Sequence, residues 1–205
     1  DFIDQNMDSY SVEYTFKDGT KAYMEGRNVA GCRMDHSTTV HGTKGMAVVS
    51  AAGHMPSLAM ITKNHVPVRI AKPRARKIKD PKTGKMIDGP IEQPVLPPSV
   101  KWAAQQPEPN PYDLEWEDLI DAIRNNKPYN ELERGVMASV ATSMGRMASH
   151  TGQIITFDQM LNCTHEFAPG ADKFTMDGPA PLIADANGKY PIPQPGIIKE
   201  TEYEV

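Results

Sequence analysis

The sequence predicts an α+β fold, an open and predominantly antiparallel β-sheet with helices packed on one face. Alternating polar and apolar residues indicate strands in the first third of the chain, and short turns join them. Strands that follow one another through short turns pair antiparallel. Apolar residues at helical spacing come later, between residues 112 and 162. Strands first and helices afterwards favour an α+β arrangement, with the helices gathered on one side of the sheet.

The first strand is predicted at residues 9–17, where apolar and polar residues alternate strictly. Asp18-Gly19 is a typical two-residue turn, and residues 20–28 pair back as a hairpin. Because helices can cover only one face of the sheet, we expect the apolar row of this strand to self-associate. That row consists of Tyr10, Val12, Tyr14 and Phe16. Further strands are predicted at 34–41, 46–50 and 65–70.

Residues 71–111 are predicted to be an extended excursion across the surface, because residues 90–111 alone hold seven prolines. Helices are predicted at 112–124, 130–150 and 157–162, and the apolar residues of the first two are expected to be buried. A neighbour is expected to pack closely against the helix at 130–150, because its small residues leave it thin. These are Gly135, Ala138, Ala141, Gly145 and Ala148. Capping residues are Asn130 with Glu133, Gly152, and Thr156 with Gln159.

These elements predict one sheet-and-helix domain over residues 1–167, followed by a surface tail rich in proline and glycine at 168–205. A net charge of −4 argues against a nucleic-acid or membrane-surface partner. The chain begins without Met and almost at once in a strand pattern, so we expect its start to be a cut. The two cysteines, Cys32 and Cys163, fit no metal spacing and are expected to be buried thiols.

Four segments carry a family pattern, in this order: RNVAGCRMDHSTTVHGTKG (27–45), NPYDLEWEDLIDAIRNNKPYNE (110–131), GRMASHTGQIITFDQMLN (145–162) and DANGKYPIPQPG (185–196). Together they resemble the C-terminal domain of the glucose–fructose oxidoreductase / inositol dehydrogenase (Gfo/Idh/MocA) family, in its planctomycete and Bacteroidetes branch. The third segment departs from the family, which usually has GRMA-Tyr-Ser-Gly.

The resemblance implies a sheet that pairs subunits into a homo-oligomer and forms one wall of a substrate cleft. It also implies that the intact enzyme transfers hydride between NAD or NADP and a sugar or cyclitol. The family's GxGxxG loop, Glu-Lys-Pro motif and Asp-x-x-x-His pair are absent from these 205 residues. We therefore expect no catalytic residue, no cofactor site and no catalysis in this chain alone. A separate N-terminal dinucleotide-binding domain is the expected partner.

Four polar residues surround the VAGC turn and are the candidate substrate-binding residues: Arg27, Asn28, Arg33 and His36. Arginine offers a planar fork of donors that suits hydroxyl or acid groups. The alternative is that they are ordinary exposed loop residues. His36 and His41 are expected on opposite faces of a strand, one buried and one exposed. No metal site is expected, because the histidines show no ligand spacing.

Two other functions stay open at this point. One is a stand-alone carbohydrate-binding or scaffold domain without catalysis. The other is anion or nucleic-acid binding by the basic stretch at residues 72–85, although that stretch has no interleaved aromatic residues for base stacking. The sequence leaves the compartment open between cytoplasm and periplasm.

Overall fold

The structure, a computed structural model, describes residues 6–51, 57–66, 68, 70, 75–166, 168–180 and 182–202. The chain divides into two compact units. Unit 1 comprises Asp1–Cys32 and Asn130–Val205, and unit 2 comprises Arg33–Tyr129. Helices and strands both occur, and the strands pair antiparallel in open sheets, which confirms the predicted α+β class.

The elements follow one another in the order β1 (Ser9–Thr15), β2 (Lys21–Arg27), β3 (Thr38–Gly42), β4 (Gly45–Ser50), β5 (Met60–Lys63), β6 (Lys77–Lys79), β7 (Met86–Asp88), β8 (Val100–Ala103), α1 (Pro111–Arg124), α2 (Leu132–Thr151) and α3 (Phe157–Leu161), with a short 3₁₀ helix at Ala171–Lys173. The strands belong to three sheets. They are the β1–β2 hairpin, a four-stranded sheet in the order β3-β4-β5-β8, and the β6–β7 hairpin.

In unit 1 the β1–β2 hairpin packs against α2. The hairpin turns at Gly19, whose φ of +85° favours glycine. Val12 is buried, and the hydroxyl of Tyr14 donates to the carbonyl of Ala141 in α2. The close approach depends on Gly145, where any Cβ would overlap the Tyr14 hydroxyl. The predicted close packing on α2 is therefore confirmed at this residue.

Burial along α2 is confined to its C-terminal half, where the buried residues are Gly145, Met147, His150 and Thr151. Near its start, Leu132 is 71% exposed and Met137 is 50% exposed. The expected burial of the apolar residues is therefore wrong for the first turns of this helix.

The ends of α2 and α3 follow the capping chemistry of the sequence. Gly152 ends α2 in the left-handed conformation with φ +67°, and its N–H donates to the carbonyl of Ala148. Thr156 and Gln159 form the predicted capping box at the start of α3. The predicted box of Asn130 with Glu133 is not formed. Instead the Asn130 side chain accepts from Leu132 N, 3.0 Å away.

Unit 2 is built on the four-stranded sheet. The buried core residues of this sheet are Met46, Val48 and Met60, and they lie on one face together with the fully buried Thr62. The predicted strand at 65–70 is wrong for the described residues of that range, because the strand β5 lies earlier, at Met60–Lys63. Positions 67 and 69 lie outside the described residues.

The segment predicted as an excursion contains the β6–β7 hairpin and then β8, which forms an edge of the four-stranded sheet. Positions 71–74 of this segment lie outside the described residues. Its end is attached to the sheet by Glu108, whose two carboxylate oxygens accept from Leu58 N at 2.8 Å and Ala59 N at 2.9 Å. A carboxylate that satisfies two neighbouring backbone donors fixes the start of β5.

Helix α1 begins where its sequence predicts. Asn110 caps it by accepting from Tyr112 N, and Pro111 takes the first helical position. The expected burial is wrong for Leu114, Ile120 and Ile123, which are 42%, 40% and 71% exposed, while Leu119 is half-buried. Trp116 is also 62% exposed, and none of the strands described in unit 2 packs against the helix. Its apolar face is therefore open.

Candidate functional site

The outer face of the four-stranded sheet carries an apolar row that crosses all four strands. Val40 of β3 is paired with Ala47 of β4, and Ala47 with Ile61 of β5. Ile61 is paired in turn with Trp102 of β8. Directly paired residues point to the same face of a sheet. Val40, Ile61 and Trp102 are 55%, 44% and 52% exposed. We call these four residues the outer apolar row.

The apolar row predicted on the first strand is a different surface. Its central members, Val12 and Tyr14, face α2 and are buried and half-buried. Tyr10 lies over Gly26, where a Cβ would overlap its ring. The expectation that this row is an open, self-associating face is therefore wrong for Val12 and Tyr14, because α2 covers them.

A buried carboxylate, Glu202, forms the main polar cluster of unit 1. Its side chain is fully buried, although it lies in the segment predicted to run along the surface. Arg146 donates through Nε to Glu202 Oε1, and its Nη1 donates to Asn6 Oδ1 at 3.0 Å. The cluster thus fastens the end of the described chain to α2.

Two histidines complete this cluster. His150 Nδ1 lies 2.7 Å from Glu202 Oε1, although the angle of this contact does not fit a hydrogen bond. His165 Nε2 lies 3.8 Å from Glu202 Oε2. Burial raises the pKa of Glu202, but the contacts with His150 and Arg146 lower it more. The pKa of Glu202 therefore lies below its ordinary value of 4.5. The ionised carboxylate is an internal anchor rather than a group presented to a ligand.

Arg27 and Asn28, the first two candidate substrate residues, lie at the end of β2 in unit 1. Both side chains are exposed. The backbone N–H of Asn28 donates to the carbonyl of Asp8 at 2.7 Å, which holds the chain in place as it leaves the hairpin. Exposed donors at a strand end are chemically able to bind hydroxyl groups.

Arg33 and His36, the other two candidates, lie in unit 2 before β3, and both are exposed. They surround Asp35, which accepts from Ser37 N at 3.0 Å. Hydrogen bonds from Ser37 are the main reason why the pKa of Asp35 is lowered, and the charges of Arg33 and His36 lower it further. Arg33 and His36 therefore both lie within electrostatic range of one carboxylate. Because His41 is exposed as well, the expectation that one histidine of this pair is buried is wrong.

The two cysteines are free and exposed, which corrects the expectation of buried thiols. Both lie in loops, Cys32 after β2 and Cys163 after α3, where no apolar layer covers them. In the described part of the chain no group of three or more His, Cys, Asp or Glu side chains is arranged to hold a metal ion. None of the described helices has the length and apolar character needed to cross a bilayer.

The described residues do not form a Rossmann-type dinucleotide site. In such a site the pyrophosphate binds where a parallel strand runs through a glycine loop into the N-terminus of a helix. Among the strands that the structure names, all pairs are antiparallel, and α1, α2 and α3 begin at residues that follow loops. We therefore derive no step through NAD or NADP on this chain.

Sequence reasoning missed both Glu202 and the outer apolar row. Glu202 and Arg146 are 56 residues apart with no repeating pattern to link them, so only the folded chain shows that they meet. The outer apolar row had a local signal, since Val40 and Ile61 both lie within apolar or β-branched runs. Trp102 of β8, which pairs with Ile61, has no apolar or β-branched run around it, because its surroundings are rich in proline.

No family model, no curated protein and no solved structure was found that matches this chain. The family resemblance therefore remains a prediction, and the function has to be argued from the surfaces described above.

Proposed function

We propose that this chain is the substrate-side and oligomerisation domain of an NAD(P)-dependent oxidoreductase acting on a sugar or cyclitol. The observation that carries the proposal is the outer apolar row of an open antiparallel sheet. Three large apolar side chains in register, each about half exposed, form a surface of the kind that a second subunit covers. An open sheet face of this kind supports pairing between subunits.

The open face of α1 supports a second contact, with a dinucleotide-binding domain. Its exposed large apolar residues recur at helical spacing along one side, and they are Trp116, Ile120 and Ile123. An amphipathic helix normally buries such a stripe against a neighbouring element. In our proposal that neighbour is the domain that supplies the nicotinamide.

The chemical role of this chain is to bind and orient the substrate. Arg27 and Asn28 offer exposed donors at the end of β2, and Arg33 and His36 offer a second polar group before β3. Sugar hydroxyls need such partners, because a polar group that loses water without gaining a hydrogen bond costs about 1–3 kcal/mol. Hydride acceptance and proton transfer belong to the other domain.

The decisive experiment uses the native protein from its own cells. Mass spectrometry gives its intact mass and N-terminus, and a spectrophotometric assay measures NAD and NADP reduction with a panel of hexoses and inositols. We expect a mass well above that of 205 residues and reduction of one of the two cofactors.

A calorimetric titration of the 205-residue chain with the same ligands is the control. The dinucleotides should bind more weakly than about 100 μM, equivalent to about 5.5 kcal/mol. Tighter dinucleotide binding to this chain would contradict the proposal. Sugar binding by a native protein that has no dinucleotide domain and no reductase activity would instead establish a stand-alone carbohydrate-binding domain.

A further inference from the structure

We propose that His41 and His65 form a binding site for one divalent late-transition-metal ion, such as Zn²⁺ or Cu²⁺. The proposal is independent of the oxidoreductase function. Both side chains are exposed and belong to unit 2, with His41 in β3 and His65 in the turn after β5. They lie 24 residues apart in the sequence, and β4 separates their strands in the sheet.

The two rings meet edge to edge with their nitrogens facing each other. His41 Nδ1 and His65 Nδ1 are 3.4 Å apart, the ring centres are 5.6 Å apart, and the ring planes differ by 4°. The ring centres are farther apart than the nitrogens, so the two nitrogens lie between the ring centres. With nearly parallel planes, this places the rings side by side in almost one plane, and the pair is not a face-to-face stack. Without an ion, one nitrogen must donate to the other across a distance that is long for a hydrogen bond.

The nitrogen–nitrogen distance matches that of two imidazoles on one metal ion. Zn–N bonds of about 2.0–2.1 Å at a tetrahedral angle place the two nitrogens about 3.3–3.4 Å apart. In the structure the two lone pairs point towards each other, so both exposed rings must turn to aim them at a common point beside the line that joins the nitrogens.

The backbone places His65 through an uncommon conformation. Asn64 and His65 have φ values of +60° and +52°, so two consecutive residues other than glycine are left-handed. Such conformations cost free energy and persist where the surrounding structure holds them, often at ligand sites. The neighbouring Lys63 fixes the turn, because its N–H donates to the carbonyl of Ser99 at 2.8 Å.

Two protein ligands leave the other coordination positions to water or to an added ligand. The affinity should therefore be well below that of a closed structural zinc site. Among divalent ions, Cu²⁺ should bind most tightly to a site of this kind. We expect one ion per chain, with a Kd of about 1–100 μM.

The test is a calorimetric titration of the chelator-treated full chain with ZnCl₂, and separately with CuCl₂, in a buffer that does not bind metal. His41→Ala and His65→Ala should each raise the Kd at least about tenfold. His36→Ala is the matched control, since His36 is another exposed histidine of the same unit, and it should leave the Kd unchanged. Electron paramagnetic resonance of the Cu²⁺ complex should show two coordinating nitrogens, and one after either substitution.

Circular dichroism of each variant shows that the fold is retained, so a loss of binding can be assigned to the lost ligand. The proposal is overturned if the unsubstituted chain shows no saturable binding below about 1 mM, equivalent to about 4.1 kcal/mol. It is equally overturned if the double variant His41→Ala/His65→Ala binds as well as the unsubstituted chain, or if His36→Ala weakens binding as much as the two proposed ligands do.

Discussion

Substituting Gly145 with alanine tests the packing that holds unit 1 together. Gly145 is buried in α2, directly beneath the hydroxyl of Tyr14. An added Cβ would overlap that hydroxyl and would also lie 3.3 Å from the Cε atom of Met24. To make room, the Tyr14 side chain must move, and its hydrogen bond to the Ala141 carbonyl at 3.0 Å would be lost.

One favourable and two unfavourable terms set the size of the effect on stability. Alanine is favoured over glycine inside a helix by about 1 kcal/mol. Against this stand about 1–3 kcal/mol for the extra volume and about 1 kcal/mol for the lost hydrogen bond. The Gly145→Ala variant should therefore be less stable by about 1–3 kcal/mol, as measured by urea unfolding followed by circular dichroism.

The same helix offers a matched control. Gly135 has open space around its Cβ position, so Gly135→Ala should raise the free energy of unfolding by about 0.5–1 kcal/mol. Removing the hydroxyl with Tyr14→Phe should make Gly145→Ala less harmful, giving a coupling of about 0.5–3 kcal/mol in a double-mutant cycle. If Gly145→Ala stabilises the chain as much as Gly135→Ala does, the packing argument is refuted.

Two further predictions concern charge and substrate binding. Glu202→Gln should lower the free energy of unfolding by about 1–3 kcal/mol, because Arg146 loses its buried partner. The loss is limited because Arg146 is itself partly exposed to water. The control Glu200→Gln, at an exposed site, should change the free energy of unfolding little. Since the pKa of Glu202 is lowered in the folded chain, its contribution is present above pH 4.5 and is lost as the pH falls through the folded value. The difference in unfolding free energy between wild type and Glu202→Gln should therefore shrink in urea titrations at successively lower pH, and a difference that grows with acidity would contradict this assignment. In an oxidoreductase that contains this chain, Arg27→Ala should lower kcat/KM about tenfold, equivalent to about 1.4 kcal/mol. The melting temperature should change little. If the variant unfolds instead, Arg27 is a structural residue and not a substrate-binding one.

Local chemistry explains which elements could be predicted from the sequence. The β1–β2 hairpin follows from strict alternation and the Asp18-Gly19 turn. The capping box at Thr156 and the left-handed Gly152 depend only on residues within one helical turn. Such features are decided by near neighbours in the chain, so the sequence carries their signal directly.

Long-range pairing explains what could not be predicted. The second partner of β5 in the sheet, after β4, is β8, which begins only at Val100 and follows a proline-rich segment. Glu202 reaches Arg146 across 56 residues, and His65 reaches His41 across 24. The predicted burial of α1 is wrong at Leu114, Ile120 and Ile123, because an apolar stripe indicates that a helix needs a partner but not which unit or chain supplies it.

The most direct test of the proposed role is the mass of the chain in solution. Light scattering at about 20 μM, where even a micromolar interface is largely formed, should give a dimer or a larger assembly. Trp102→Lys in the outer apolar row should convert it to a monomer, while Trp116→Lys on the open face of α1 should leave the mass unchanged. A monomeric wild-type chain, or a Trp102→Lys variant that keeps the wild-type mass, would contradict the proposal that this sheet face pairs subunits.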